Sequence, residues 1–376
     1  MVTLPKICFV GLENLPVLSR DYNQHGIGGE QVQHTLLARA LVRRGHQVSM
    51  VVADYGQPDG LKIDGIDVYK AYGLADGLPV VRFIHPRLTG LWRALKRADA
   101  DVYYVSTASL QVGVIAAFAK RYGRRAVFRI AHDTDCDPDN LLIKFARDKK
   151  IYEWGLRRVD AVLAQSVQQI EAMRSNYGVD SRMATMLVEP QAEERGFADR
   201  DVDVLWVNNL RGFKRPDLMV ELARRMPHLK MHMIGGPQGG AEQLFEDTKR
   251  DAAALPNLVF HGRVPYHDVN AFYERAKVFV NTSDSEGFPN SYLQAWRRGT
   301  PLVAFFDPDS TIASNGLGAV PGNMDEMVQA VQRLASEESA WAQVSARCRR
   351  YMDEHYGDDK VLVPYLAVVR EGLATA

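Results

Sequence analysis

A succession of short, unbroken apolar runs, each followed by a longer stretch of helical periodicity, constrains this chain more than any other feature. In the first half the runs are Lys6–Val10, Gln47–Ala53, Asp101–Val105, Ala126–Ile130 and Ala161–Ala164. In the second they are Val202–Val207, Lys230–Ile234, Leu258–Phe260, Val278–Val280 and Leu302–Phe306. Strands with one wet face alternate apolar and polar residues, whereas continuous runs of this kind suit strands covered on both faces, as in parallel sheets. Between them lie helical patterns. Glu30–Arg44 places Val32, Leu36, Leu37, Ala40 and Leu41 on one face and meets a stop at Gly45. The crossovers are right-handed by default. Only Leu61–Tyr72, where Ile66 and Val68 alternate with charges, reads as a hairpin or sheet edge.

The composition changes once. From Met186 to Asp203 the chain turns polar, with Pro190 and Gly196, and reads as a linker. The expected organisation is a Rossmann-like domain over 1–188, a linker over 189–201, a second Rossmann-like domain over 202–355 and a tail over 356–376 that can cross back to the first domain. A length of 376 residues suits two domains with sizeable cores. Lys plus Arg equals Asp plus Glu at 46 each, so no global field favours nucleic acid. Cys8, Cys136 and Cys348 lie far apart and offer neither a disulfide framework nor zinc-ligand spacing, which suits a reducing cytoplasm. The N-terminus enters a strand directly, without the pattern of a signal peptide, and no run of about 18 apolar residues is present.

The chemistry-bearing residues fall where these strands end. After Val278–Val280 comes TSDSEGFPNSYLQAWRR, Thr282 to Arg298: a polar loop with Glu286, then Gly287-Phe288-Pro289, then a helix starting near Asn290-Ser291. Helix N-terminal amides attract phosphate oxygens and a carboxylate accepts hydroxyl donors, so a nucleotide-sugar would satisfy the loop. The plainer alternative is an acid that merely complements the helix dipole. In the loop Asn208–Lys214, Arg211 and Lys214 can neutralise a diphosphate or simply be solvated. Gly26-Ile27-Gly28-Gly29 opens the first long helix and lets backbone approach an anion, although it is not the dinucleotide fingerprint. After Ala126–Ile130 stands the cluster from Ala131 to Asp139. It can be read as a calcium loop, against which Pro138 occupies a glycine position, or as a D-x-D divalent-ion site. A third reading has His132 meeting a ligand at a strand end, and a fourth has a structural histidine bonded to Asp133. Phe83–Arg97 mixes apolar and basic residues; it can lie on a membrane surface or pack on a core with its basic face in water.

EGFPNSYLQAW followed by RRGTPLVA resembles the signature loop of glycosyltransferase family 4, retaining enzymes of the GT-B fold that use nucleotide-sugars. GGEQVQHTLLARALVRRGHQVSMVV is similar to the same family's opening. The resemblance implies two Rossmann-like domains with the active site in the cleft between them, Glu286 on the sugar hydroxyls and His132 near the reacting end of the sugar. It implies donor phosphates facing Gly28 and Gly29, the cations Arg211 and Lys214, and the first turn from Gly287, Phe288 and Pro289 to Asn290 and Ser291. The base would be read around Arg263 and Val264. Two positions depart from the pattern. Gln294 stands where the family has a second glutamate toward the ribose, and Asn209 stands at the arginine position, with Arg211 two residues later as its replacement. The implied activity is transfer of a hexose-type sugar from a UDP- or GDP-linked donor to a saccharide or lipid-linked acceptor, without metal or other cofactor, in bacterial polysaccharide or glycolipid assembly. A nucleotide-sugar 2-epimerase and a catalytically silent nucleotide-sugar-binding protein are the alternatives.

Overall fold

The computed structural model describes residues 4–22, 28–78, 81–189, 191, 193–238, 240–285 and 288–371. Contacts divide the chain into two units, Met1–Leu187 with Asp358–Ala376, and Val188–Gly357.

The first unit carries β1 (Ile7–Val10), β2 (Val48–Val52), β3 (Leu61–Ile63), β4 (Ile66–Lys70), β5 (Val102–Ser106), β6 (Arg125–Arg129), β7 (Ala161–Ala164) and β8 (Arg182–Met183) in the order β3-β4-β2-β1-β5-β6-β7-β8. Every pairing is parallel except β3 with β4, the expected hairpin at the edge. The central strands are buried residue by residue, as their unbroken apolar character requires. The second unit carries β9 (Val202–Val207), β10 (Met231–Ile234), β11 (Leu258–Phe260), β12 (Ala276–Asn281), β13 (Leu302–Ala304) and β14 (Gly318–Ala319), all parallel, in the order β11-β10-β9-β12-β13-β14.

Two features of the first unit depart from the sequence reading. In the helix Gly29–Arg43, Gln33 and His34 are buried alongside Val32, Leu37, Ala40 and Leu41, whereas Leu36 is only half-buried. Gln33 holds both backbone polar groups of Leu187, donating to its carbonyl at 2.9 Å and accepting its N–H at 2.8 Å. A buried amide is acceptable when both ends are satisfied. Phe83–Arg97 is not one helix. A short turn Val81–Phe83 and an irregular turn Ile84–Leu88 precede the helix Thr89–Ala98, whose Leu91, Ala94 and Leu95 are buried and whose Arg93, Lys96 and Arg97 are exposed.

Glycine permits one close helix crossing. A Cβ on Gly155 would lie 2.4 Å from the Cα of Gly113, so the helices Ala146–Leu156 and Leu110–Tyr122 touch backbone to backbone. The helix Asp358–Arg370 packs on the first unit: Val368 accepts from Arg125 at 3.0 Å, and the buried Tyr365 hydroxyl accepts from the Arg129 Nε–H at 3.2 Å. In the second unit the buried Arg200 guanidinium donates to the carbonyls of Ala276 and Arg298, at 2.5 Å each, and to the Thr300 hydroxyl at 2.8 Å. Burial holds its pKa down, at about 9. All three cysteines are buried, and burial pushes the Cys8 and Cys136 thiols up to about 12 and the Cys348 thiol higher still.

Candidate functional site

In an open parallel sheet, ligands bind beyond the carboxyl ends of the strands at the point where the strand order reverses. In the second unit the chain moves outward from β9 to β10 and β11 on one side, and to β12, β13 and β14 on the other. The crevice therefore opens between the exits of β9 and β12. Those exits are the two loops that the sequence marks: residues 208–215 and 282–289.

One hydroxyl joins them. The buried Trp206 of β9 donates its indole N–H to Thr282 Oγ1 at 2.9 Å. That oxygen lies 2.9 Å from the carbonyls of both Lys214 and Arg215, which share its proton. The Asp284 N–H adds a bond to the Phe213 carbonyl at 2.9 Å. The backbone around Lys214 is thus fixed on both sides before any ligand arrives, with the Lys214 ammonium 5.0 Å from the Phe213 ring centroid. Arg211 precedes the turn Gly212–Lys214. Arg215, in the left-handed region at φ 49°, is forked onto Asp217 and also reaches Asp284.

The exits of β10 and β11 close on the same edge. A Cβ on Gly235 would lie 2.0 Å from the Asn208 carbonyl oxygen, so only glycine allows this approach. The Leu210 N–H donates to the Gly236 carbonyl at 2.9 Å and the Gly235 N–H to the Gly262 carbonyl at 2.8 Å. Arg263 lies over Gly236 and donates to the Pro237 carbonyl at 3.2 Å, next to the half-buried Val264.

Pro289 stands at the N-cap of the helix Asn290–Arg297, with Asn290 and Ser291 in its first turn and the Phe288 ring edge-on to Trp296. Gln294 donates to Asn270 Oδ1 at 3.3 Å, and the Asn270 amide with the Tyr266 hydroxyl donates to the Glu189 carboxylate. Glu286 and Gly287 lie outside the described residues.

In the first unit the strand order reverses between β1 and β5. Gly28 caps the helix that follows β1; its N–H donates to Gln31 Oε1 at 2.9 Å, and Gly29 behind it is exposed. Glu30 reaches across the reversal to Thr107, beyond β5, whose hydroxyl donates to Glu30 Oε2 at 2.7 Å. Thr107 is β-branched yet sits at φ 66°, a strained state of the sort that functional sites retain. Burial raises the Glu30 carboxyl to about 7, against the Thr107 hydrogen bond. One turn on, His34 pairs with Ser106 at 2.7 Å, and burial lowers its pKa to about 3, so the imidazole is neutral.

His132 follows β6 and opens the turn Asp133–Cys136. Its Nδ1 accepts from the Thr134 N–H at 3.2 Å, which leaves the ring proton on Nε2 of this exposed side chain. Its partner is Thr134 rather than Asp133, which accepts from Gln169. Two other aspartates of this stretch serve their own turns. Asp135 is buried and accepts the backbone N–H groups of Ala131 and His132, while Asp137 accepts from Asn140 and from the Asp139 N–H. Among the described residues no three His, Cys, Asp or Glu side chains are placed to hold a metal ion.

Sequence reasoning did not single out Trp206, Thr282, Glu30, Thr107 or Glu189. Nothing local marks them, because each acts through a partner more than seventy residues away.

The comparisons agree with this architecture. Residues 28–188 match the family model for a glycosyl transferase 4-like domain, and residues 202–337 match the model for glycosyl transferases group 1. An uncharacterized glycosyltransferase of Haemophilus influenzae is 26% identical over 44% of this chain and 48% of its own length. A D-inositol 3-phosphate glycosyltransferase of Geodermatophilus obscurus is 28% identical over 40% of this chain and 39% of its own. The chain thus spans less than half the length of these two relatives. A lipopolysaccharide core biosynthesis mannosyltransferase, LpcC, of Rhizobium leguminosarum is 26% identical over 62% of this chain and 65% of its own. Among solved structures, a sucrose-phosphate synthase from Thermosynechococcus elongatus superposes with a TM-score of 0.74 at 14% identity, over 99% of this chain and 100% of its own. Anabaena HepE in complex with UDP-glucose gives a TM-score of 0.72 at 14% identity, over 96% of this chain and 98% of its own. Matched in both units, and carrying two parallel α/β sheets of the same fold, this chain belongs to the GT-B glycosyltransferases of the family 4-like type.

Proposed function

We propose that the chain transfers a hexose-type sugar from a nucleotide diphosphate sugar, UDP- or GDP-linked, to an acceptor hydroxyl with retention of configuration. The reaction would serve the assembly of a bacterial polysaccharide or glycolipid, with a saccharide or lipid-linked acceptor. The observation that carries this reading is the Thr282 hydroxyl. It fixes the loop with Arg211 and Lys214 at the reversal of the second sheet, on the same strand edge as the first turn of the helix Asn290–Arg297. Cations and helix N–H groups on one edge suit a leaving diphosphate, whose growing charge is met by groups already in place.

In this mechanism Lys214 and Arg211 take the phosphate oxygens, with the amides of Gly287, Phe288, Asn290 and Ser291; Pro289 has no N–H and sets the entry to the helix. Gly28 and Gly29 are assigned to the donor phosphates, as the family resemblance implies. Glu286 holds sugar hydroxyls and His132, through Nε2–H, orients the sugar near C1. The backbone at Arg263 and Val264 would read the base, and the Gln294–Asn270–Glu189 chain would offer the ribose an amide backed by a carboxylate. The charges named here require no metal. HepE, solved with UDP-glucose, has the same fold and makes UDP-sugars the first donors to try.

The test is a thermal-shift screen of the chain against UDP, GDP, ADP and their sugar conjugates, followed by NMR of the anomeric configuration in the product. A ligand present at about 100 times its Kd adds roughly 2.7 kcal/mol. Stabilisation by one nucleotide, lost in Lys214→Ala, supports the donor site. No stabilisation by any of them, with or without magnesium, overturns it.

A further inference from the structure

The helix Thr89–Ala98 commits its apolar side to the first unit's core, with Trp92 edge-on to Phe118 at 5.1 Å. The turns before it do not. Leu78, Val81 and Ile84 are 74%, 56% and 58% exposed. A second segment, after β6, behaves in the same way. Residues 141–144 alternate, so that Leu141 and Ile143 pack on the core while Leu142 is 77% exposed; Phe145 beyond them is 54% exposed. The Arg147 guanidinium lies 3.5 Å from the Phe83 ring centroid and joins the two segments into one surface. Arg82 and Lys144, both exposed, are interleaved with these apolar side chains, while Arg147 is paired with Asp148 at 2.8 Å.

Single exposed apolar residues are unremarkable on any protein, but several large ones gathered on neighbouring turns mark a docking surface. Here they project from irregular turns rather than from a flat face, and the side chains between them are cations. Apolar tips suit shallow insertion at the headgroup boundary, and cations at that depth meet lipid phosphates. We infer that this composite surface, Leu78 and Val81 to Ile84 together with Leu142 to Arg147, docks the chain on a bilayer of anionic lipid. Both segments leave the carboxyl ends of strands, β4 and β6, the edge that also bears His132. Docking would bring that edge to the headgroups, and it holds whether or not the proposed donor chemistry does.

The experiment is co-sedimentation of the full chain with phosphatidylcholine vesicles, and with vesicles in which about a third of the lipid is phosphatidylglycerol. Binding to the anionic vesicles should be at least about tenfold tighter, and should weaken as salt is raised. Leu78→Ser with Leu142→Ser, and separately Arg82→Glu with Lys144→Glu, should each lower it by about tenfold or more. Val363→Ser, 62% exposed on the helix Asp358–Arg370, should bind as the parent does. Melting temperatures close to the parent's would show that the variants fold. Equal binding to both vesicles, or parent-like binding by both double variants, overturns the inference. So does a dimer that Leu78→Ser with Leu142→Ser abolishes, since a second copy would then be the occupant.

Discussion

The two switch points are built alike and charged oppositely. At the second, between β9 and β12, the loops bring Arg211 and Lys214, with Arg263 beyond β11 on the same edge and Arg215 already neutralised by Asp217. At the first, between β1 and β5, they bring Glu30, with Glu13 and Asp135 close enough to raise its pKa further and Arg129 acting against them. The same topology therefore presents a cationic mouth in one unit and a carboxyl-lined one in the other. Fold places a crevice; the residues at its rim decide whether a phosphate or a neutral polyol suits it.

The largest expected effect breaks the cationic side. Lys214→Ala should weaken nucleotide binding by tenfold to a hundredfold, since a charge-assisted bond is worth about 1.5–3 kcal/mol, and isothermal calorimetry with the stabilising nucleotide measures it. Unchanged affinity would remove Lys214 from the donor site. Next is the pin itself. Thr282→Val keeps the shape but leaves the Lys214 and Arg215 carbonyls and the Trp206 N–H without their partner, at a cost of about 1–3 kcal/mol. Denaturant melts should register that loss, and nucleotide affinity should fall with it; a loss of stability alone would make Thr282 structural only.

The third sharpens the carboxyl side through pH. Burial raises Glu30 from the ordinary carboxyl value of 4.5 to about 7, so its contribution is fully present below pH 4.5 and is lost as pH rises through 7. His34 is lowered from 6.5 to about 3, so its contribution is present above pH 6.5 and is lost as pH falls through 3. Between pH 4.5 and 6.5 the two slopes oppose each other. Glu30→Gln removes one of them. Its melting temperature, relative to the parent, should rise with pH between 5 and 8, by an amount equivalent to about 1–3 kcal/mol. A parallel pair of curves would overturn the assignment. The smallest effect is expected for Gln294→Glu. A carboxylate there approaches Asn270 and Glu189 and should change nucleotide affinity by about twofold to fivefold, the range of a partly screened charge pair.

The alternation of apolar runs and amphipathic stretches made both sheets legible, because burial on both faces leaves a pattern that can be read residue by residue. The candidate loops were legible for a related reason: they occupy strand exits, whose positions follow from the strands. What holds those loops was not. Thr282 reads as one more polar loop residue until Trp206 is placed beneath it, and Glu30 reads only as the start of a helix until Thr107 faces it across the sheet. Gln33 reads as a wet position until Leu187 arrives from 154 residues away. Such pairs are set by tertiary approach, and no local period encodes them. Phe83–Arg97 misled for a different reason, since a helical pattern says which residues share a face but not where the helix starts.

The three sealed cysteines make the chain its own unfolding reporter. A thiol reacts as thiolate, and burial suppresses both the thiolate and access to it. Cys8 and Cys136 belong to the first unit and Cys348 to the second. Alkylation by a maleimide should therefore be slow in the folded chain and follow each unit's opening separately, so that mass spectrometry of the labelled peptides times the two halves in a single tube, without any engineered probe.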